Sequence, residues 1–119
     1  MFKIARSDII FNIVTPKKLA ELKRELLEIR KSPHGRKPRL FESMATRVGR
    51  VRDNRGKEPT YVRKIDPALS PPLSIPNHGG KDLKSGTARS IIDALLDDIS
   101  EWEIYNDQNS SEDNGSEDD

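Results

Sequence analysis

Apolar residues recur three or four positions apart near the start of the chain: Leu19, Leu22, Leu26 and Ile29. This spacing places them on one face of a helix over residues 16–31. Thr15 and Pro16 mark its start, since threonine caps a helix and a proline at the first position gives up no hydrogen bond. Residues 32–38 contain two prolines and a glycine, which predicts a linker after the helix.

A second helix and several short strands follow the linker. Residues 39–50 have apolar side chains at helical spacing, and Gly49 lies where a left-handed residue commonly ends a helix. The next elements are short: a strand or turn at 51–57, a hairpin reversal at 54–56, a strand at 60–65, a proline-rich loop at 66–72 and a strand at 73–75.

A long amphipathic helix is predicted over residues 86–105, with Ser85 as its cap. Its apolar stripe contains seven residues at helical spacing: Ala88, Ile91, Ile92, Leu95, Leu96, Ile99 and Trp102. Residues 106–119 contain no apolar side chain and several acidic ones, which predicts a disordered acidic tail. Residues 1–14 are predicted to form an N-terminal arm or strand.

The order of these elements predicts an α+β fold. Residues 39–105 form a small domain in which two helices pack on one face of an antiparallel sheet of two or three strands. Residues 15–38 add an extra helix and the linker. The other face of the sheet is expected to stay exposed to solvent and to carry basic residues.

The amino-acid composition excludes several kinds of functional site. The chain has 119 residues, of which 33% are hydrophobic and 5% aromatic, so the core is small. It contains no cysteine, which excludes disulfides, a thiolate nucleophile and a zinc site built on cysteine, and which fits a cytoplasmic location. No apolar run is long enough for a membrane span, so no membrane association is expected.

The net charge of +1 hides a strong asymmetry along the chain. Residues 30–64 contain 12 basic and 3 acidic residues, whereas no basic residue follows Arg89. A basic centre suits a polyanion, because each neutralised phosphate releases condensed counterions. Nucleic-acid binding is the interpretation that this charge segregation favours, and a solvated basic surface without a partner is the alternative.

The most specific signal lies in residues 73–92. A short strand ends in Ile75-Pro-Asn-His78, a turn Gly80-Lys-Asp-Leu83 follows, and Lys84-Ser-Gly-Thr-Ala-Arg-Ser-Ile91 begins the last helix. This order of pieces resembles the C-terminal signature of the HicA family of toxin–antitoxin ribonucleases. The resemblance implies a fold like that of double-stranded-RNA-binding domains (dsRBD-like) and a metal-independent endoribonuclease that acts on mRNA without a cofactor. It also implies a HicB-like antitoxin as protein partner.

The chain differs from the family at the catalytic position. The family has a histidine just after the hairpin glycine, with the role of general acid or base in cleavage through the 2′-hydroxyl group. Glu58 stands at the matching position. A carboxylate can act as a general base, but it is ionised at neutral pH and is therefore a poor general acid. Either Glu58 is a catalytic base, with Lys57 stabilising the transition state, or the chain binds RNA without cleaving it.

His78 is the second candidate catalytic residue. It lies in a turn just before a helix start, where N–H groups favour an anion such as phosphate. Because an imidazole exchanges protons near neutral pH, His78 is predicted to contact phosphate or to act as a relocated acid or base. The alternative is a histidine that orders the turn. His34, in the linker, is expected to have no role, and two isolated histidines favour no metal site.

Eight residues are predicted to bind RNA: Arg55, Lys57, Tyr61, Arg63, Lys64, Lys81, Lys84 and Arg89. Seven are cations that can neutralise phosphates. Tyr61 is predicted to stack on a base, with packing beneath the helices as the alternative. For the three cations around the start of the last helix, the alternative is a role in solubility.

A non-catalytic protein-interaction module is the alternative function. The apolar faces of the first and last predicted helices could join copies of the chain into a homo-oligomer. The acidic tail could also cover the basic centre of the same chain and mask it. Salt-dependent RNA binding would favour the first function, whereas salt-insensitive association through apolar faces would favour the second.

Overall fold

The computed structural model describes residues 13–54 and 58–118, and this part of the chain contains three helices and one three-stranded sheet. In chain order the elements are α1 (Pro16–Arg30), α2 (Pro38–Arg47), β1 (Val51–Asp53), β2 (Thr60–Arg63), β3 (Leu69–Ser74) and α3 (Ser85–Asp118). The sheet is antiparallel, with the order β1-β2-β3. The predicted α+β class is confirmed. The predictions for residues 1–14 and 54–56 fall almost entirely outside the described residues.

The start of α1 follows the signals in the sequence. The Oγ1 atom of Thr15 accepts a hydrogen bond from the backbone N–H of Lys18 at 3.3 Å, and Pro16 lies in the first turn. The four apolar residues predicted for the inner face of the helix are all buried. The helix ends at Arg30, one residue before the predicted end.

The second helix, α2, is shorter than the predicted span of 39–50, because it ends at Arg47. Gly49 then adopts a φ of +96°, in the left-handed region expected after a helix end. A Cβ atom at this position would lie 2.8 Å from Nη1 of Arg63. Both the backbone conformation and the available space therefore require glycine here.

The third strand, β3, begins earlier than the sequence predicts. It runs from Leu69 through Pro71 and Pro72 to Ser74, whereas the prolines predict a loop over residues 66–72. A proline lacks the N–H group that a central strand must donate, so it is tolerated in a strand at the edge of a sheet. Among the described residues, the sheet order places β3 at such an edge.

The helices α1 and α3 lie antiparallel and contribute their apolar faces to one shared core. Two exposed ion pairs cross this contact: Lys23 Nζ lies 3.5 Å from Glu103 Oε2, and Arg30 Nε lies 2.8 Å from Asp93 Oδ1. The apolar faces from which a homo-oligomer was predicted are thus occupied within a single chain. That prediction loses its physical basis.

The sheet has one buried face and one open face. Tyr61 and Leu73 are paired across β2 and β3, and both are buried. The open face carries apolar, acidic and hydroxyl side chains from β1 and β2: Val51, Asp53, Thr60 and Val62. The prediction that this face carries basic residues is wrong, because the alternation along β2 directs Arg63 to the buried face.

A buried ion pair joins α3 to the sheet. Nε and Nη2 of Arg50 donate to the two carboxylate oxygens of Asp98, at 2.6 and 2.9 Å. Nη1 of Arg50 donates to the backbone carbonyls of Tyr61 and Pro71, at 2.7 and 3.2 Å. Burial raises the pKa of Asp98, and the hydrogen bonds from Arg50 oppose this effect. Arg50 therefore belongs to the core rather than to the basic surface.

The last helix, α3, is longer than predicted. It extends from Ser85 to Asp118, whereas the sequence predicts a helix end at Tyr105 and a disordered tail over residues 106–119. The apolar stripe stops near Tyr105, so the pattern carries no signal for the continuation. The first turn beyond it is held by Asn106, whose side-chain amide donates to the carbonyl of Val14 at 3.4 Å.

Candidate nucleic-acid site

The loop between β3 and α3, residues 75–84, is fixed by backbone contacts on two sides. The N–H of Ile75 donates to the carbonyl of Pro59 at 3.2 Å. The N–H of Leu83 donates to the carbonyl of Arg36, in the linker, at 2.9 Å. The sheet and the linker together therefore hold this loop in place, and we refer to it as the 75–84 loop.

The tip of the 75–84 loop is a tight turn organised by Asn77. Its Oδ1 atom accepts a hydrogen bond from the N–H of Gly80 at 2.9 Å, and its Nδ2 atom donates to Oε2 of Glu42, in α2, at 2.9 Å. Gly79 and Gly80 have positive φ angles of 68° and 76°, which glycine adopts without strain. The side chain of His78 forms none of these hydrogen bonds, so the order of the turn does not depend on its imidazole.

The fold brings the two predicted catalytic residues together. Nε2 of His78 lies 3.7 Å from Oε2 of Glu58. This distance allows an ion pair with a protonated imidazole and is too long for a good hydrogen bond. The pair forms because Glu58 precedes β2 and His78 follows β3, and the antiparallel register places Thr60 opposite Ser74. Both side chains face solvent, with exposed fractions of 74% for His78 and 44% for Glu58.

An open cleft of about 350 Å³ lies beside this pair, and we call it the His78 cleft. Lys81, Lys84 and Thr87 line it together with the pair. The two lysine side chains are exposed and, within the part of the chain that the structure describes, form no ion pair. Asp82 also lines the cleft, and its Oδ1 atom lies 2.7 Å from Nζ of Lys37. The charge of Asp82 is therefore already paired with a cation.

The N-terminus of α3 adjoins the His78 cleft. The N–H of Ala88 donates to the carbonyl of Lys84 at 2.8 Å, so the N–H groups in the first turn before Ala88 have no partner within the helix. Such groups, together with the helix dipole, attract anions. The cleft thus combines an imidazole–carboxylate pair, two exposed lysines and a helix N-terminus, an arrangement that suits a phosphodiester group.

Arg63 does not belong to this surface, since only 4% of it is exposed. Its Nε donates to the carbonyl of Pro67 at 3.0 Å and its Nη2 to the carbonyl of Asp66 at 2.8 Å. Its Cζ atom lies 4.7 Å from the centre of a Trp102 ring. Burial lowers the pKa of Arg63. The prediction that Arg63 binds RNA is wrong, because the guanidinium group lies inside the core.

Tyr61 is also buried, with 4% of its surface exposed. Its ring belongs to the core shared by the helices and the sheet, and burial raises the pKa of its hydroxyl group. The predicted stacking of Tyr61 on a base is wrong, and the alternative of packing beneath the helices is what the structure shows.

The other predicted RNA-binding residues differ in position. Lys64 is exposed but follows the end of β2 that is opposite to Glu58. Arg89 is exposed on α3 one turn before Asp93, on the side that contacts α1. Neither residue lines the His78 cleft. Arg55 and Lys57 lie outside the described residues and stay predictions.

Three residues that shape the site escape the sequence reasoning: Lys37, Asn77 and Asp82. A local signal exists for Asn77, because an asparagine shortly before a glycine pair commonly accepts a hydrogen bond from the turn backbone. The contact between Lys37 and Asp82 has no such signal, since the two residues are distant in the sequence and meet through the tertiary fold.

Among residues 13–54 and 58–118, no group of three or more His, Cys, Asp or Glu side chains is placed to hold a metal ion. No helix in this part of the chain is both long and apolar enough to cross a membrane. Comparison with protein-family models, with curated proteins and with solved structures finds no match.

Proposed function

We propose that this protein binds RNA in the His78 cleft and cleaves it there, as a HicA-like endoribonuclease. The observation that carries the proposal is the 3.7 Å separation between His78 Nε2 and Glu58 Oε2, beside two exposed lysines. Glu58 occupies the position at which the HicA resemblance implies a histidine. His78, which follows β3 at the same end of the sheet, supplies the imidazole that this position lacks.

The proposed chemistry needs one base, one acid and no metal ion. The carboxylate of Glu58 removes the proton of a 2′-hydroxyl group, and the freed oxygen attacks the adjacent phosphorus. Protonated His78 donates its proton to the 5′ oxygen as the bond between this oxygen and phosphorus breaks. The products are a 2′,3′-cyclic phosphate and a 5′-hydroxyl end. Solvent then takes the proton from Glu58 and returns one to His78.

The remaining groups of the cleft stabilise the negative charge of the RNA phosphate. Lys81 and Lys84 are positioned to attract the RNA backbone and to stabilise the additional negative charge of the pentacoordinate phosphorus. The N–H groups at the start of α3 add a fixed positive potential on the same side. The backbone that carries Lys81 and Lys84 is held in place by the contacts of the 75–84 loop with the sheet and the linker.

The order of the elements supports the same proposal. From α2 to α3 the chain contains a helix, three antiparallel strands and a helix, which is the order that the HicA resemblance implies for a dsRBD-like domain. The same resemblance makes a HicB-like antitoxin the proposed protein partner and the cytoplasm the proposed location. An antitoxin that silences the enzyme would have to cover the His78 cleft.

The alternative of a self-masked interaction module has weaker support. The acidic segment of residues 106–118 forms the C-terminal end of α3, whereas Lys84 and the His78 cleft lie at its N-terminal end. With 34 residues in the helix, the two ends are about 50 Å apart. An acidic segment at that distance does not cover the cleft of the same chain.

The test is incubation of the purified protein with an end-labelled single-stranded RNA in the presence of EDTA. We expect cleavage products that end in a 2′,3′-cyclic phosphate. Replacing an acid or base usually lowers a rate by about 10²- to 10⁴-fold, so His78→Ala and Glu58→Gln should each lower cleavage by at least about 100-fold. His34→Ala is the matched control, because His34 is the other histidine of the chain and is exposed in the linker.

Three results would count against the proposal. Cleavage that survives His78→Ala would place the catalyst elsewhere, and cleavage that requires a divalent metal would exclude the mechanism above. Salt-dependent binding without any cleavage by the wild-type protein would leave an RNA-binding module that lacks catalysis.

A further inference from the structure

A second cleft, of about 570 Å³, adjoins the 75–84 loop and shares no lining residue with the His78 cleft. Asn77, Gly79 and Gly80 line the second cleft, whereas His78 and Lys81 line the first. Neighbouring residues of one turn therefore face two different clefts. The loop tip is the wall that separates them.

Two cations from the start of α2 and the residue before it line the second cleft: Lys37 and Arg39. Arg39 is exposed in the first turn of α2 and, among the described residues, forms no hydrogen bond or ion pair through its side chain. Lys37 lies between the clefts, because its ammonium group pairs with Asp82, which lines the His78 cleft. The charge of Arg39 is thus available for an anion.

The second cleft also contains a carboxylate, that of Glu42. Its Oε2 atom accepts the hydrogen bond from Nδ2 of Asn77 at 2.9 Å, which directs it towards the turn. Lys37 is already paired with Asp82, so Arg39 is, among the described residues, the unpaired cation in the lining of this cleft, beside the carboxylate of Glu42. An anionic ligand is therefore expected on the side of Arg39, away from Glu42.

No side chain projects from the glycine pair at the loop tip that lies between the clefts. Gly79 and Gly80 carry no side chain, and a Cβ atom added at either position would have no other heavy atom within 4 Å. The surface above these two glycines is consequently open. A flexible polyanion can pass over the turn from one cleft to the other without displacing a side chain.

We propose that the second cleft is a phosphate subsite, and that a single RNA strand runs over Gly79 and Gly80 from the His78 cleft to Arg39. This inference rests on the proposed function, because it extends the path of the same RNA. A single strand fits better than a duplex, since its backbone can bend over a narrow turn and follow separated cationic grooves. The enzyme would then contact a phosphate beside the scissile one.

The test compares the binding of two 2′-O-methylated RNA oligonucleotides, which cannot be cleaved through the 2′-hydroxyl group. A dinucleotide has one phosphodiester group, and a hexanucleotide has enough backbone to reach both clefts. For Arg39→Gln we expect the hexanucleotide to bind about three- to tenfold more weakly, as for the loss of one exposed charge-assisted contact. The salt dependence, as log K against log salt concentration, should become less steep by about 0.7, the value for one phosphate of a single strand. Binding of the dinucleotide should not change.

Arg24→Gln is the matched control, because Arg24 is an exposed arginine on α1 that lines neither of these two clefts. If Arg39→Gln leaves the hexanucleotide unaffected while Lys84→Gln weakens it, the second subsite is wrong and the proposed function stands. If the wild-type protein binds neither oligonucleotide, both proposals are wrong. An equal loss of affinity for a duplex of the same length would overturn the assignment to a single strand.

Discussion

Removing the carboxylate of Asp98 should destabilise the fold far more than removing that of Asp93, although both residues lie on α3 and both bind an arginine. The side chain of Asp98 is 4% exposed and that of Asp93 is 48% exposed. Asp98→Ala would leave the guanidinium of Arg50 buried with only the carbonyls of Tyr61 and Pro71 as partners. Asp93→Ala would leave Arg30 in water.

The expected loss in the free energy of unfolding reflects the two hydrogen bonds that Asp98 accepts from Arg50, at 2.6 and 2.9 Å. Breaking a buried ion pair by removing one partner costs about 3–5 kcal/mol, because the remaining charge stays in the core without compensation. Domains of this size are stable by about 5–15 kcal/mol, so the loss is a large fraction of the total. For Asp93→Ala we expect a midpoint of unfolding close to that of the wild type, since water solvates the exposed arginine.

The assay is urea unfolding followed by tryptophan fluorescence. The chain has one tryptophan, Trp102, which is fully buried in the core. With an m-value near 2 kcal/mol/M, Asp98→Ala should lower the midpoint by about 1.5–2.5 M. Both variants replace an aspartate by alanine within the same helix, so the change in helix propensity cancels in the comparison.

Equal midpoints for the two variants would refute the reasoning, because burial would then have no effect on the cost. If Asp98→Ala does not fold, Asp98→Asn keeps the measurement possible, since the amide retains an acceptor for Arg50 and removes only the negative charge. A double variant, Arg50→Met with Asp98→Leu, should recover part of the loss, because it removes both charges from the core.

Two further predictions concern a glycine and an exposed ion pair. Gly49→Ala should lower the free energy of unfolding by more than Gly79→Ala. Both residues have positive φ, which costs about 1–2 kcal/mol for alanine. Only at Gly49, however, would the new methyl group meet the side chain of Arg63. Equal losses of unfolding free energy for the two variants, measured by chemical denaturation, would show that the contact with Arg63 has no effect. The Arg47 guanidinium lowers the pKa of Glu25, so this pair stabilises the fold above the ordinary glutamate pKa and the contribution is lost as the pH falls through the lowered value. Glu25→Gln should therefore be slightly less stable than the wild type at pH 7, by less than about 1 kcal/mol for so exposed a pair, and equal to it once the pH lies below the lowered pKa of Glu25. A difference that persists below that pKa would show that the charge of Glu25 is not its source.

Local signals in the sequence predict much of the fold, because short-range physics determines them. The cap at Thr15 and the left-handed glycine at position 49 depend on neighbouring residues alone, and both are found where they are predicted. The strand at Leu69–Ser74 is different. Its prolines are acceptable only because the strand lies at the edge of the sheet, and strand order is a property of the whole fold.

Whether an individual charged side chain is buried or exposed is the least predictable part of the fold. A count of basic residues treats Arg50 and Arg63 as surface cations, but the fold buries both. Arg50 is neutralised by Asp98, which is distant in the sequence, and Arg63 is held by carbonyl groups of a loop. No local pattern distinguishes such an arginine from an exposed one, because the partner appears only when distant elements pack together.

The candidate site is only partly predictable from the sequence. Glu58 and His78 can each be selected from the sequence by the chemistry of their side chains. Their proximity, however, depends on the register that places Thr60 opposite Ser74, and a shift by one residue would turn the side chains to different faces.

The length of α3 has a practical consequence for experiments on this protein. The helix begins beside the His78 cleft and continues for 34 residues to Asp118. An affinity tag, a fluorophore or an immobilising surface attached after this helix would stand about 50 Å from the cleft, roughly the length of the helix itself. Binding measured on protein tethered in this way should match binding measured in free solution.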